Sequence, residues 1–508
     1  MDMKYWSLTN YSPRPEQVEI IDKITTAMDS GYENIILEAG TGVGKSAIAT
    51  TIARMVGDSY ILTMTNQLQR QYLDDFNYML TEIKGRGNYA CNYGMDCSKC
   101  QMEKLNETRC SDCEYLLALQ YARESKTVIS NYDYLFYSGV YAQQWYTRDL
   151  LICDEAHNFE KKIMSLVSED LNRYIIWERY GFDIFEHVAK RGALRDINNH
   201  EYWVQILQKC IEKEKDMPLS DDGSEVQKHK DYLVKYRRLR GKLEDEAYII
   251  DLPLRKDILN DKDKEARLKV EFKPVAGTSH SDKLLQFGKQ RLFLTGTLGS
   301  KDKFCEWNGL NETDTCYIYV KSPFPVEHRP IIKRYVCSMR QEAWINPHII
   351  KYIKEIISSH NGEKGVIHTA SNSQAWFIKK ALNSNRVWVA QGKSREATIT
   401  SFEDSNYPIT LIGAGLKDGV DFKGDKCRYQ ILFKVPYPSL GSQQIKIRCK
   451  LDESWYMYQA IMDIMQSYGR GIRDMGDYCK YYVLDEDFEG LTHEYRYLFN
   501  EYFLEAIQ

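Results

Sequence analysis

The stretch NIILEAGTGVGKSAIATTIA, Asn34 to Ala53, constrains the fold of this chain more than any other. A short apolar run leads into a glycine-dense turn, and the turn leads into a segment of helical character. Gly40, Gly42 and Gly44 let the backbone curl so that N–H groups point at phosphate oxygens. A helix beginning near Lys45 turns its positive end toward the same charge. Lys45 is placed to neutralise β- and γ-phosphates and Ser46 to ligate Mg²⁺, with Thr41 inside the loop. The strict pattern opens on glycine where this chain has Ala39. Strand, phosphate loop and helix in this order commit the N-terminal part to a parallel sheet.

The alternation continues along the chain. Apolar runs at 34–38, 59–64, 127–130, 150–154 and 291–296 predict one series of strands with helices between them. Runs at 365–369, 387–390, 409–415, 429–433 and 481–485 predict a second. The fold class expected is α/β, with two parallel-sheet lobes. Between about 160 and 288 the pattern is charged and helical, with weak strand signals, so a mostly helical insertion is expected in the first lobe. A length of 508 residues accommodates several such units.

The net charge of −4 gives no global signal for nucleic acid, so such binding needs a local basic channel. The 37 tyrosines supply stacking surfaces. No basic segment followed by an apolar run stands at the N-terminus, and no run of about 18 apolar residues occurs. A secretory signal and a membrane span are therefore not expected. Most of the 13 cysteines are scattered singly, which fits a reducing, cytoplasmic compartment rather than a disulfide framework.

LLICDEAH places Asp154, Glu155 and His157 at the end of an apolar strand. The first carboxylate there can hold the Mg²⁺ that bridges two phosphates, and the second can orient or deprotonate the attacking water. His157 reads as a local hydrogen-bonding residue coupling to the other lobe. QSYGRGIRDMGDY carries Gln466, Arg470 and Arg473, and on a helix the two arginines share one face and reach a γ-phosphate across a cleft.

Five cysteines fall between Cys91 and Cys113, spaced Cys91-x5-Cys97-x2-Cys100-x9-Cys110-x2-Cys113. So polar a segment can hardly fold without a metal staple. The paired C-x-x-C spacings by themselves suggest a four-thiolate zinc site.

Taken in order, these stretches resemble the XPD/DinG branch of superfamily 2 iron–sulfur DNA helicases. YSPRPEQ resembles the adenine-reading segment, with Arg14 and Gln17; GTGVGKS resembles motif I and LTMTNQLQRQ motif Ia. SNYDYLF and DEAH resemble the approach to motif II and motif II itself, and LTGTLGS resembles motif III. GAGLKDGVDFKGD resembles motif V, with Gly419 and Asp421, and QSYGRGIR motif VI. The resemblance implies ATP and Mg²⁺ as cofactors and a [4Fe–4S] cluster held by Cys91, Cys97, Cys100 and Cys113, with Cys110 the spare or the alternative ligand. It implies lobe 1 over 1–84, 117–160 and 289–317, a cluster domain over 85–116, an Arch-like insertion over 161–288 and lobe 2 over 318–508. It also implies a monomer moving 5′ to 3′ on single-stranded DNA and opening forked duplex, in a bacterial or viral setting. Two rivals stay open: an RNA helicase or remodeller of the same superfamily, and an ATP-gated nucleic-acid clamp with a zinc-stapled module.

Overall fold

The computed structural model describes residues 5–7, 12–40, 42–76, 78–91, 112–186, 199–218, 223–244, 248–253, 268–340, 345–416, 422, 424–472 and 475–508. Thr41, Cys97, Cys100, Cys110, Gly419, Asp421 and Arg473, named above as candidate site residues, lie outside them.

The first lobe begins with strands β1 (Asn34–Ala39), β2 (Ser59–Thr63), β3 (Thr81–Glu82), β4 (Thr127–Asn131) and β5 (Arg148–Cys153). An excursion follows, carrying β6 (Glu169–Asn172), β7 (Tyr248–Asp251) and β8 (Lys269–Pro274). The chain then returns for β9 (Gly288–Thr295) and β10 (Thr315–Val320). The sheet of this lobe has seven strands in the order β10-β1-β9-β5-β2-β4-β3, all parallel. Strands β1 and β2 are buried along their whole length and β5 nearly so, which is why they read as apolar runs. Strand β10 runs past residue 317, so the sheet carries the first lobe through Val320, three residues beyond the boundary drawn from the sequence.

The second lobe holds β11 (Ile331–Cys337), β12 (Gly365–Thr369), β13 (Val387–Val389), β14 (Thr410–Ala414), β15 (Tyr429–Leu432) and β16 (Lys480–Asp485). They form a six-stranded parallel sheet in the order β11-β16-β15-β12-β14-β13. The two lobes therefore have the expected α/β architecture.

The excursion is helical, with long helices His200–Asp216 and Gly223–Leu243, but it also contains a sheet that the sequence did not announce. Strands β6, β8 and β7 pair antiparallel in that order. KVEFKP alternates charged with apolar residues at the period of a half-buried strand, but EDLN and YIID are only four residues long and sit among charged helical segments, so the strand signal stays weak. Trp203, Leu207, Tyr236, Leu239, Val270 and Phe272 fill a core of their own between the sheet and the helices.

Specific polar contacts join the lobes. Asn500 Nδ2 donates to Glu38 Oε1 at 2.9 Å, Tyr458 Oη to the Leu298 carbonyl at 3.0 Å, and Trp307 Nε1 to Asp452 at 2.7 Å. Among the described residues, no helix is long and apolar enough to cross a membrane.

Candidate nucleotide site and cysteine segment

Strand β1 ends at Ala39, and the helix Lys45–Val56 starts with Gly44 as its cap. Gly42 and Gly44 sit at φ 85° and 86°, in the left-handed region open to glycine. A side chain on Gly44 would also strike Gln17, whose Nε2 lies 2.5 Å from where the Cβ would stand. Gln17 Nε2 donates to the Val43 carbonyl at 2.8 Å, and an Arg14 guanidinium nitrogen donates to the Gly42 carbonyl at 2.6 Å. The segment before the first helix thus clasps the phosphate loop from outside. Lys45 Nζ rests on the Ala39 and Gly40 carbonyls at 2.9 and 3.4 Å, inside the loop it would vacate for a phosphate.

Sheet order brings the acidic pair to the same edge. Strand β5 lies one strand from β1, with β9 between them, so Asp154, Gly296 and Lys45 meet above the carboxyl ends of the strands. Asp154 Oδ1 accepts the Glu155 N–H at 2.9 Å, and Oδ2 accepts the Tyr72 hydroxyl at 3.1 Å. Burial pushes the Asp154 carboxyl up to about 6, the Glu155 charge adds to the rise, and Lys45 opposes it. Glu155 adopts φ 53°, a left-handed conformation uncommon for a side-chain-bearing residue and concentrated at functional sites. His157 Nδ1 shares a hydrogen bond of 3.1 Å with Thr295 Oγ1 on β9, which ties the acidic strand end to its neighbour within the first lobe.

The second lobe closes the cleft. Gln466 and Arg470 face Gly40, Lys45, Glu155 and Gly296 across it. Arg470 does not stand on a helix as expected, and Arg473, its expected partner, lies outside the described residues. The helix Glu453–Tyr468 stops before Arg470, which lies in a turn. Gly469 and Gly471 break the helix on either side of that arginine. Arg470 reaches the cleft from that turn.

Five contributors carried no motif signal. Tyr72 lies one residue past the LTMTNQLQRQ stretch, and its hydroxyl bonds Asp154 and interacts with Ser46, the two candidate Mg²⁺ ligands. Glu38, 1% exposed, accepts from the Leu298 N–H at 2.9 Å and from Tyr317 and Asn500 behind the loop. Asn500, Tyr502 and Phe503, near the C-terminus, line the cleft wall.

The ends of the cysteine segment are pinned together. Tyr89 and Tyr115 pack edge to face at 5.7 Å, and the Arg86 guanidinium lies 5.0 Å from the Tyr115 ring centre. Cys91 and Cys113 stand two residues beyond those two tyrosines, both half-buried and neither in a disulfide. Cys113 caps the helix Glu114–Glu124, whose Tyr115, Leu119 and Ala122 are buried in the first lobe. Among the described residues, no group of three or more His, Cys, Asp or Glu side chains could hold a metal ion, and Cys97, Cys100 and Cys110 lie outside those residues.

Solved XPD helicases superimpose along almost the whole chain. One covers 98% of this chain and 98% of its own at a TM-score of 0.64 and 15% identity. The Xpd4 structure from S. tokodaii covers 97% and 99% at 0.58 and 16%. The chain is XPD-like in fold. A helicase C-terminal domain model matches this XPD-like chain over residues 353–504, and the model for the res subunit of type III restriction enzymes matches residues 10–179. The ATP-dependent DNA helicase CHL1 of Saccharomyces cerevisiae is 21% identical over 175 residues. That match spans 28% of this chain and 20% of CHL1.

Proposed function

We propose that this chain is an ATP-dependent DNA helicase that moves 5′ to 3′ on single-stranded DNA and opens forked duplex. The observation that carries the reading is the convergence of Lys45, Glu155, Gln466 and Arg470 on one cleft between two parallel-sheet lobes. Lobes that share a nucleotide this way change their relative position with its hydrolysis. The family models and CHL1, itself a DNA helicase by name, support the same reading.

The residues divide the work as follows. Lys45 leaves the Ala39 and Gly40 carbonyls and takes the β- and γ-phosphates. Ser46 and Asp154 would hold Mg²⁺, which when bound would neutralise phosphate charge. Glu155 orients the attacking water and accepts its proton. Arg470 and Arg473 meet the charge that develops on the transferred group from the opposite lobe. Arg14 and Gln17 would read the base, and Gly419 and Asp421 of lobe 2 would contribute to nucleotide binding. Cys91, Cys97, Cys100 and Cys113 would hold a [4Fe–4S] cluster that stiffens residues 85–116, and residues 161–288 serve as the Arch that frames the strand's path.

The test is ATP hydrolysis with single-stranded DNA, with single-stranded RNA and with neither. The expected result is stimulation by DNA well above that by RNA, and loss of turnover by at least 10²-fold in Lys45→Ala, the loss of a main phosphate ligand. Stimulation by RNA alone moves the chain to the RNA remodellers. Slow turnover that no nucleic acid raises makes it a clamp.

A further inference from the structure

We infer that Tyr137 and Tyr141 form a base-stacking platform for single-stranded DNA at the seam between the first lobe and its insertion. The inference rests on the strand-translocating function proposed above and adds a place where the strand is gripped.

The segment Tyr137–Tyr141 is a single π-helical turn following the short helix Tyr132–Phe136. Such turns are rare and cluster at functional sites. Its residues divide by direction. Phe136, Ser138 and Gly139 are buried, and a side chain at Gly139 would drive into Phe287. Tyr137 and Tyr141 point outward instead, 47% and 39% exposed, although Tyr132 and Tyr134 of the same segment are 0% and 8%. The two outer rings lie 5.9 Å apart and 27° from parallel, each edge-on to the buried Phe136 ring. A pair of exposed tyrosines held parallel on a rigid base presents the flat apolar faces that stack nucleobases of any sequence.

Charge at the same place suits a polyanion. The Arg238 guanidinium lies 4.7 Å from the Tyr141 ring centre and pairs with Glu169 at 2.6 Å. Arg238 belongs to the helix Gly223–Leu243, which carries seven lysines and arginines against two acidic residues in a chain of net charge −4. Lys230, Arg237 and Arg240 are exposed along it. Several cations of this helix pair with carboxylates, Lys242 with Glu169, Lys235 with Asp170 and Lys228 with Glu225, so the exposed Lys230, Arg237 and Arg240 are what it offers a polyanion. The platform also shares an element with the nucleotide cleft: the Tyr132 hydroxyl, at the start of the short helix, donates to the Asp154 carbonyl at 2.9 Å. A base seated on the outer rings and a nucleotide in the cleft therefore load two ends of one short helical segment.

The test uses the full wild-type chain and a single-stranded oligonucleotide carrying 5-iododeoxyuridine at successive positions, irradiated and mapped by peptide mass spectrometry. Adducts on Tyr137 or Tyr141 are the expected result. Adducts confined to other residues while the strand binds overturn the platform and leave the helicase reading standing; no strand binding at all overturns both. A second measurement compares affinities. Tyr137→Ala/Tyr141→Ala should bind the strand roughly tenfold more weakly or worse, with the salt dependence unchanged because no phosphate contact is lost. Tyr137→Phe/Tyr141→Phe, which keeps both rings, should stay within about twofold of wild type. Equal affinity in the alanine variant overturns the platform.

Discussion

A buried carboxyl proposed to hold a metal ion meets a proton as its competitor, and Asp154 is such a group. Its pKa is pushed up to about 6 by burial first and by Glu155 second. Mg²⁺ binds the ionised form, so the Mg²⁺ concentration giving half-maximal ATP hydrolysis should be flat above that pH. Below it the requirement should climb about tenfold per pH unit. A requirement that stays level from pH 7.5 to pH 5 would show that Asp154 is not the metal ligand. The same shift has a sign for folding. The folded state holds this proton more tightly than the unfolded chain, so the cost of the buried charge is absent below about 3.9, where both states keep the proton. It grows as pH rises through about 6 and is complete above. At this scale Lys45, Ser46, Asp154 and Glu155 were legible because their chemistry demands fixed spacing beside a strand end. Tyr72 and Glu38 were not. Their partners lie 82 and 462 residues away for Asp154 and Asn500, and nothing local marks such contacts.

Elements were legible in proportion to their burial. Strands β1, β2, β4 and β5 in the first lobe, and β12, β14 and β15 in the second, are covered on both faces and read as apolar runs. Strands β10 and β11 stand at sheet edges and leave most of their residues only half-buried or exposed, so TCYIYV and IIKRYVC carried no such mark. Glycines told where the phosphate loop turns but not that the helix before Arg470 stops at Tyr468. The helices Phe159–Val167 and Gln443–Leu451 are joined across the lobes by a buried ion pair, Arg448 to Glu160 at 2.9 Å. Trp455 Nε1 donates to the same carboxylate at 2.7 Å. Burial makes the Glu160 carboxyl hold its proton more tightly than usual, and Arg448 opposes that shift. Removing one partner strands a buried charge, so Glu160→Ala should lower stability by about 3–5 kcal/mol in denaturant unfolding. Replacing the pair together, Glu160→Leu with Arg448→Met, should cost less than either single change, because no uncompensated charge remains. Additive losses would mean the two side chains do not act as a pair.

At the scale of the whole molecule, two sheets face one nucleotide cleft while the first lobe carries two interruptions, one rich in cysteine and one dense in charge of both signs. The cysteine interruption has a direct assay. Protein purified without oxygen should be brown, with about four irons per chain, and chelation of the iron should reduce unwinding more than DNA-independent ATP hydrolysis. A colourless protein with about one zinc would instead assign the paired C-x-x-C spacings, with Cys110 a ligand and Cys91 the spare. The measurement that tests the central claim most directly is strand displacement from a forked duplex offering either a 5′ or a 3′ single-stranded arm, with ATP, for wild type and Lys45→Ala. The account predicts displacement by wild type from the 5′ arm and none by Lys45→Ala. Failure of wild type to displace either strand, or equal displacement by Lys45→Ala, would contradict it.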